Sequence, residues 1–147
     1  MNLLHVVFKV GTAEYALPAS EVLQMESYTG ATAVPGSPPH VLGIVQLRGR
    51  VIPVIDLRAR FGLPAQEAGP DARLVVGQKG ERIVALLVDV AREVLSIPEE
   101  ALKPPPRLMG HQAEGFVKSV AQIGNRLVMA VDFSKVIGEE LLHVDER

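Results

Sequence analysis

This sequence predicts a mainly β chain folded as two small five-stranded barrels. Three observations lead there: its apolar, β-branched runs are short, Gly, Pro or polar pairs separate them, and helix-period patterns are few and brief. Ten such runs fit within 147 residues, more than one small barrel needs. The length is that of one domain, residues 1–147, able to bury about two thirds of its unfolded surface.

Taken in order, Leu3 to Val10 is the first strand and Ala13 to Leu17 the second. A helical turn over Pro18 to Leu23 leads to the third, Leu23 to Tyr28. Val41 to Leu47 and Val51 to Asp56 flank Arg48-Gly49 and pair locally. Pro53 places the second of these at a sheet edge or a bulge, because proline donates nothing to a ladder. A short helix over Leu57 to Gly62 precedes Pro64 to Asp71, which has loop composition. Arg73 to Gly77 and Arg82 to Asp89 turn through Gln78-Lys79-Gly80-Glu81, and Arg92 to Ile97 follows. Pro98 to Leu102 has proline near a helical start, and Pro104-Pro105-Pro106 is stiff and extended. Phe116 to Ile123 and Arg126 to Phe133 join through Gly124-Asn125, a pair that tolerates positive φ in a two-residue hairpin. Ser134 to Leu142 closes the chain as a helix with Ser134 placed as its N-cap.

Composition excludes several functions. Lys+Arg 15 against Asp+Glu 17 gives a formal charge of −2, the wrong balance for displacing counterions from nucleic-acid phosphates. With no cysteine, disulfides, thiolate zinc sites, iron–sulfur clusters and thiol nucleophiles are ruled out. No run approaches the roughly 20 apolar residues that span a bilayer, and Met1 to His5 lacks a signal peptide's basic start. The cytoplasm is therefore the expected location, with no direct membrane insertion. Aromatic residues are 4% and Trp is absent, so the core falls to Val, Leu, Ile and Ala and base-stacking platforms are scarce.

Catalytic patterns are sparse. Asp56, Asp89 and Asp132 each sit within an apolar run, an internal echo pointing to two similar halves. Buried carboxylates of this kind share protons or hold metals, which is the basis for an alternative reading as a small metal-binding or hydrolytic barrel. An Asp ending a strand also commonly accepts hydrogen bonds from the amides of the next turn. His5, His40, His111 and His143 show no i,i+4 pairing and no HExxH pattern. Ser37 is followed by Pro38 and lacks the G-x-S-x-G elbow, and neither Gly-rich phosphate loop is present. No catalytic, cofactor or metal residue is assigned.

The densest segment runs from Gly43 to Phe61, with four arginines between residues 48 and 60 in an otherwise apolar stretch. A turn arginine flanked by apolar strands has the composition of protein-interface hot spots.

Gly43, Leu47-Arg48-Gly49, Pro53 and Asp56-Leu57-Arg58 follow one another here in the spacing Gly-x-x-x-Leu-Arg-Gly-x-x-x-Pro-x-x-Asp-Leu-Arg. In that string the sequence resembles the CheW family, the coupling proteins of bacterial chemosensory arrays. Tyr15, Val22, Val34-Pro35, Pro38, Leu87-Val88-Asp89, Glu93-Val94-Leu95 and Pro104 to Pro106 extend the likeness from about Leu3 to Leu142. The resemblance implies two SH3-like five-stranded barrels around a shared apolar core, with no catalytic activity and no cofactor. It implies two partners, the regulatory domain of a CheA-type histidine kinase and the cytoplasmic tip of a methyl-accepting chemoreceptor, and a location at membrane-associated receptor arrays. Carried over by residue, Arg48 would hydrogen-bond beside the receptor-facing groove while Gly49 holds the turn. Val22 and Leu42 would be apolar contacts and Asp56 a strand-end anchor. Gln24 and Gln46, which stand where the family usually has Glu and Asn, would lie on partner surfaces. Lacking receiver and kinase modules, the chain is expected to be the coupling protein itself.

Overall fold

Most strands of this chain are apolar on two successive residues rather than on alternate ones, so both of their faces must find cover. The computed structural model, which describes residues 1–106 and 114–142, shows how. Eleven strands are arranged as β1 (Asn2–Val10), β2 (Ala13–Pro18), β3 (Val22–Ser27), β4 (Val41–Leu47), β5 (Arg50–Asp56), β6 (Arg73–Lys79), β7 (Arg82–Val88), β8 (Val90–Pro98), β9 (Leu102–Lys103), β10 (Val117–Ile123) and β11 (Arg126–Val131). Helix α1 (Leu57–Arg60) follows β5, and α2 (Phe133–Leu142) follows β11. The first sheet has the order β8-β1-β2-β11-β10-β9 and the second β3-β6-β7-β5-β4. Neighbours are antiparallel except β11 with β2 and β5 with β7.

Each sheet curls around its own small core and turns its other face to a common one. Val7, Ala16 and Val128 are buried within the first sheet, and Ile52, Val54, Leu74, Val76, Ala85 and Leu87 within the second. The residues between them in sequence go the other way. Phe8, Leu17, Ile55, Val75, Val84, Leu86 and Val131 form one buried cluster drawn from both sheets, closed by Leu57, Phe133, Val136 and Ile137 of the two helices. Tyr15, Phe61 and Phe116 join that cluster as a chain of tilted rings, with centroids 4.8 and 5.6 Å apart. Period-2 alternation here sorts side chains between two cores, not between core and solvent.

The expected ten strands are present to within two residues at each end, and the two-residue β9 is an eleventh. Four local readings are corrected. Pro98 to Leu102 is a single 3-10 turn over Glu99–Ala101, because Leu102 pairs with Ala121 of β10. Pro18 to Leu23 is likewise one 3-10 turn, Ala19–Glu21, ending where β3 begins. Asp132, not Ser134, caps α2, accepting from the Lys135 amide at 3.3 Å. Pro53 lies in an interior strand. Its partner Ile44 exchanges both backbone hydrogen bonds with Thr32 at 2.9 Å, so Pro53 faces a pair that needs no donor from it. Parallel pairing with β7 starts only at Val54.

The echo between the halves is a full structural repeat. An offset of 69 residues carries β1, β2 and β3 onto β6, β7 and β8, and one of 76 carries β4, β5 and α1 onto β10, β11 and α2. The pairing Val54↔Ala85 becomes Ala130↔Ala16. The bulge at Leu23 becomes that at Arg92, and the bulge at Leu42 that at Lys118. Gly11 and Gly80 turn with φ 65 and 62, and Gly62 and Gly138 both have φ 77. The halves interlock, since each gives strands to both sheets. Asp56 and Asp132 are equivalent positions, whereas Asp89 corresponds to Ser20.

In the first sheet, Arg126 of β11 pairs with Glu14 of β2 at 2.6 Å and with Glu93 of β8 at 2.7 Å. Two strands, β1 and β2, lie between β8 and β11 in the sheet, so this double ion pair crosses the curl of the barrel. The hydrogen bond from Arg126 is the main reason the Glu14 carboxyl is held below its ordinary value of 4.5.

Two outcomes follow. A Cβ on Gly43, where φ is 147, would lie 2.0 Å from the Thr32 carbonyl oxygen, so Gly43→Ala should cost roughly 2 to 4 kcal/mol in urea unfolding. A wild-type midpoint would contradict the bridge between Thr32 and β4. A carboxylate with a lowered folded pKa contributes stability above its ordinary value, and that contribution is lost as pH falls through the lowered one. Stability of Glu14→Gln measured below pH 4.5 should therefore fall less steeply with acid than that of the wild type, and parallel curves would argue against the pair.

Candidate functional site

The turn between β4 and β5 contains only Arg48 and Gly49, with Leu47 paired to Arg50. Both residues have positive φ, 52 and 80, the pattern of a type I′ turn, whose twist matches that of the strands it joins. Glycine adopts this readily. Arg48 is the one non-glycine with positive φ among the described residues, at a cost on the order of 1 kcal/mol. The repeat shows that the reversal does not demand an arginine there. At the β10–β11 turn Gly124 takes that place with φ 63, and Asn125 needs no positive φ.

Beside this tip is a depression of about 300 Å³. Arg48, Arg50 and Gln24 stand at it, and Ile52, Val76 and Ile83 form its apolar side. Ile52 and Val76 belong to the core within the second sheet, so the depression is the open mouth of that barrel. Leu23, 50% exposed, lines it as well, and Val51 next to Arg50 is 64% exposed. Around the corner, a second depression of about 370 Å³ runs between the end of β3 and β4, and Gln46 and Leu47 line it.

Of the residues expected to meet partners, Gln24, Arg48 and Gly49 therefore gather at the mouth and Gln46 beside it. Val22, Leu42 and Asp56 do not. Val22 packs against the core common to both sheets, and Leu42, a bulge residue, packs against the core of the second. Asp56 accepts from the Arg58 amide at 3.1 Å and caps α1. Burial pushes its carboxyl above the ordinary 3.8, with a smaller upward push from Asp89.

The four arginines divide into two kinds. Arg58 reaches Asp89 at 2.8 Å, and Asp89 also accepts from the Gly11 amide at 2.7 Å, a tie between the halves. Arg60 donates to the carbonyls of Val136 and Lys135 at 2.9 and 3.1 Å and lies 5.0 Å over the Phe116 ring. Arg48 and Arg50 have no ion pair or side-chain hydrogen bond among the described residues. Asp56, Asp89 and Asp132 are each occupied by backbone amides, and no group of three His, Asp or Glu among the described residues is placed to hold a metal. His5 is buried with Nδ1 3.1 Å from the Leu3 carbonyl. His40 is buried with its ring 3.3 Å from Arg60. His111 and His143 lie outside the described residues. Leu23, Arg50, Ile52, Val76, Gln78 and Ile83 are mouth residues to which sequence reasoning gave no partner-facing role. The repeat, read as an alignment of the two halves, is the signal that finds them.

Residues 4–141 match the family model described as the CheW-like domain. A probable chemotaxis protein CheW of Rhizobium etli is 32% identical over 136 residues, covering 91% of this chain and 86% of that protein. The chemotaxis protein CheW of Bacillus subtilis is 31% identical over 135 residues, covering 92% and 86%. Among solved structures, the scaffolding protein TtCheW from Thermoanaerobacter tengcongensis superposes with a TM-score of 0.87 at 28% identity, over 95% of this chain and 94% of that one. By sequence and by fold together, the chain belongs to the CheW family.

Proposed function

We propose that this protein is a non-enzymatic scaffold that couples chemoreceptors to a CheA-type histidine kinase, with the whole chain acting as a single CheW-like domain. The observation that carries this reading is the mouth of the second barrel. There the sheet presents two arginines that have no partner among the described residues beside exposed Leu23, while the remaining arginines of the segment are tied to their own chain. Fixed apolar surface with a few unsatisfied polar groups is what a docking site needs. The name of TtCheW as a scaffolding protein supports the same class of role.

In this reading one barrel meets the regulatory domain of the kinase, and a receptor's cytoplasmic tip meets the groove beside it. Arg48, Gly49, Gln24 and Gln46 face partners, and Val22, Leu42 and Asp56 support them from behind. No helix among the described residues is long and apolar enough to cross a membrane, and we place the protein in the cytoplasm at receptor arrays, held there by its partners.

The strained turn sets the test. Arg48→Ala should weaken binding to the kinase regulatory domain or the receptor tip by about 1 to 3 kcal/mol in calorimetry while the fold persists. Arg48→Gly should raise the unfolding free energy of the isolated protein by a fraction of the αL cost, on the order of 1 kcal/mol at most, and lose the same affinity. Undiminished binding by both variants would remove Arg48 from the interface.

A further inference from the structure

The repeat supplies an internal control for the mouth of the second barrel. Arg50 and Arg126 are equivalent, as are the residues around them. Glu14 faces Val128 in the parallel β2–β11 pairing, and its counterpart by the repeat is Ile83, beside Ile52. Glu93 is opposite Val7 on β1, and its counterpart is Gln24, opposite Val76 on β6. The Arg126–Glu14–Glu93 cluster of the first barrel thus becomes Arg50–Ile83–Gln24 in the second, and these three residues line one depression. Both carboxylates that would close it have been replaced by neutral side chains. Gln24 turns its amide to Glu26 instead.

We infer that Arg50 at this mouth reads a carboxylate of a partner protein, presented next to an apolar side chain that enters over Ile83. The geometry of the first barrel shows what the partner completes: an arginine at this strand position is satisfied by carboxylates 2.6 to 2.7 Å away. Arg48 adds a second cation at the rim, so charge complementarity selects an acidic segment and the Ile52, Val76 and Ile83 surface selects an apolar neighbour. The inference deepens the coupling function and takes the kinase regulatory domain as the occupant.

The test titrates that domain into four full-length proteins by calorimetry at low and high salt: wild type, Arg50→Gln, Gln24→Glu/Ile83→Glu, and Lys103→Gln as a control for charge at an exposed site on β9. The double variant restores the cluster of the first barrel and should occupy Arg50 from within. The expected result is tenfold or greater weakening by Arg50→Gln and by the double variant, wild-type affinity for Lys103→Gln, and a flatter salt dependence for Arg50→Gln. Thermal melts check folding, and the single variant decides the matter should the double variant not fold. Wild-type affinity in Arg50→Gln would overturn the inference and leave the coupling function standing. A receptor-tip fragment is titrated into the same four proteins, and loss of its binding by Arg50→Gln with kinase binding intact would overturn the kinase as occupant. Failure of the wild type to bind either partner would overturn the coupling function and this inference with it.

Discussion

Everything in this molecule depends on strands that are buried on both faces. A sheet with one wet face needs apolar residues only at alternate positions, and its identity as a barrel is decided by that alternation. Here Val54 and Ile55, Val7 and Phe8, and Leu74 through Val76 are consecutive and all buried, because one residue of each pair fills a barrel and the next fills the core between barrels. Neither sheet can keep its outer face covered without the other. The interlock of the halves serves the same end: the chain enters the second sheet at β3 and returns to the first at β8, so neither sheet is complete without strands from both halves. The result is a body whose hairpin tips and barrel mouths are the parts left outside the shared core.

Against that symmetric frame, the two barrels have diverged where it matters. Their backbones keep the same bulges, the same parallel pairing and the same strand-Asp-helix corner at Asp56 and Asp132. What differs is satisfaction. The first barrel closes its arginine with two carboxylates of its own, whereas the second leaves an arginine in a left-handed turn and another above an apolar floor. Charged groups left without partners at a water-accessible rim cost little, but they gain much when a partner displaces the water. In the proposed coupling role, that asymmetry would give direction to a scaffold whose two barrels share one frame.

Much of this was legible in the residues. The hairpins at Arg48-Gly49 and Gly124-Asn125 could be read because a two-residue turn is a local event, with its backbone demand written in the two residues themselves. Strand existence was equally local. The parallel joins of β2 to β11 and β5 to β7 were not, since they bring together residues far apart in sequence whose side chains are interchangeable aliphatics. Pro53 misled for that reason: the partner that excuses its missing amide, Ile44, is satisfied by Thr32 from a loop. Ser134 looked like a cap, but Asp132 stands at the strand end and reaches the amide first. Nothing in the residues themselves separates Arg58 and Arg60 from Arg48 and Arg50, because Asp89 and the carbonyls of α2 that hold them come from the other half. Arg50 and Ile83 stood out only once the halves could be laid on each other.

The central claim is that one barrel mouth is closed by its own chain and the other waits for a partner. Nitrogen-15 spectra of the arginine side chains, recorded as the kinase regulatory domain is added to the intact protein, test it directly. The Nε–H signal of Arg126 should be protected from exchange in the free protein and stay where it is, while those of Arg48 and Arg50 should exchange freely at first and shift and slow on binding. Signals that move at Arg126 and stay still at Arg48 and Arg50 would place the docking surface on the wrong barrel and contradict the account.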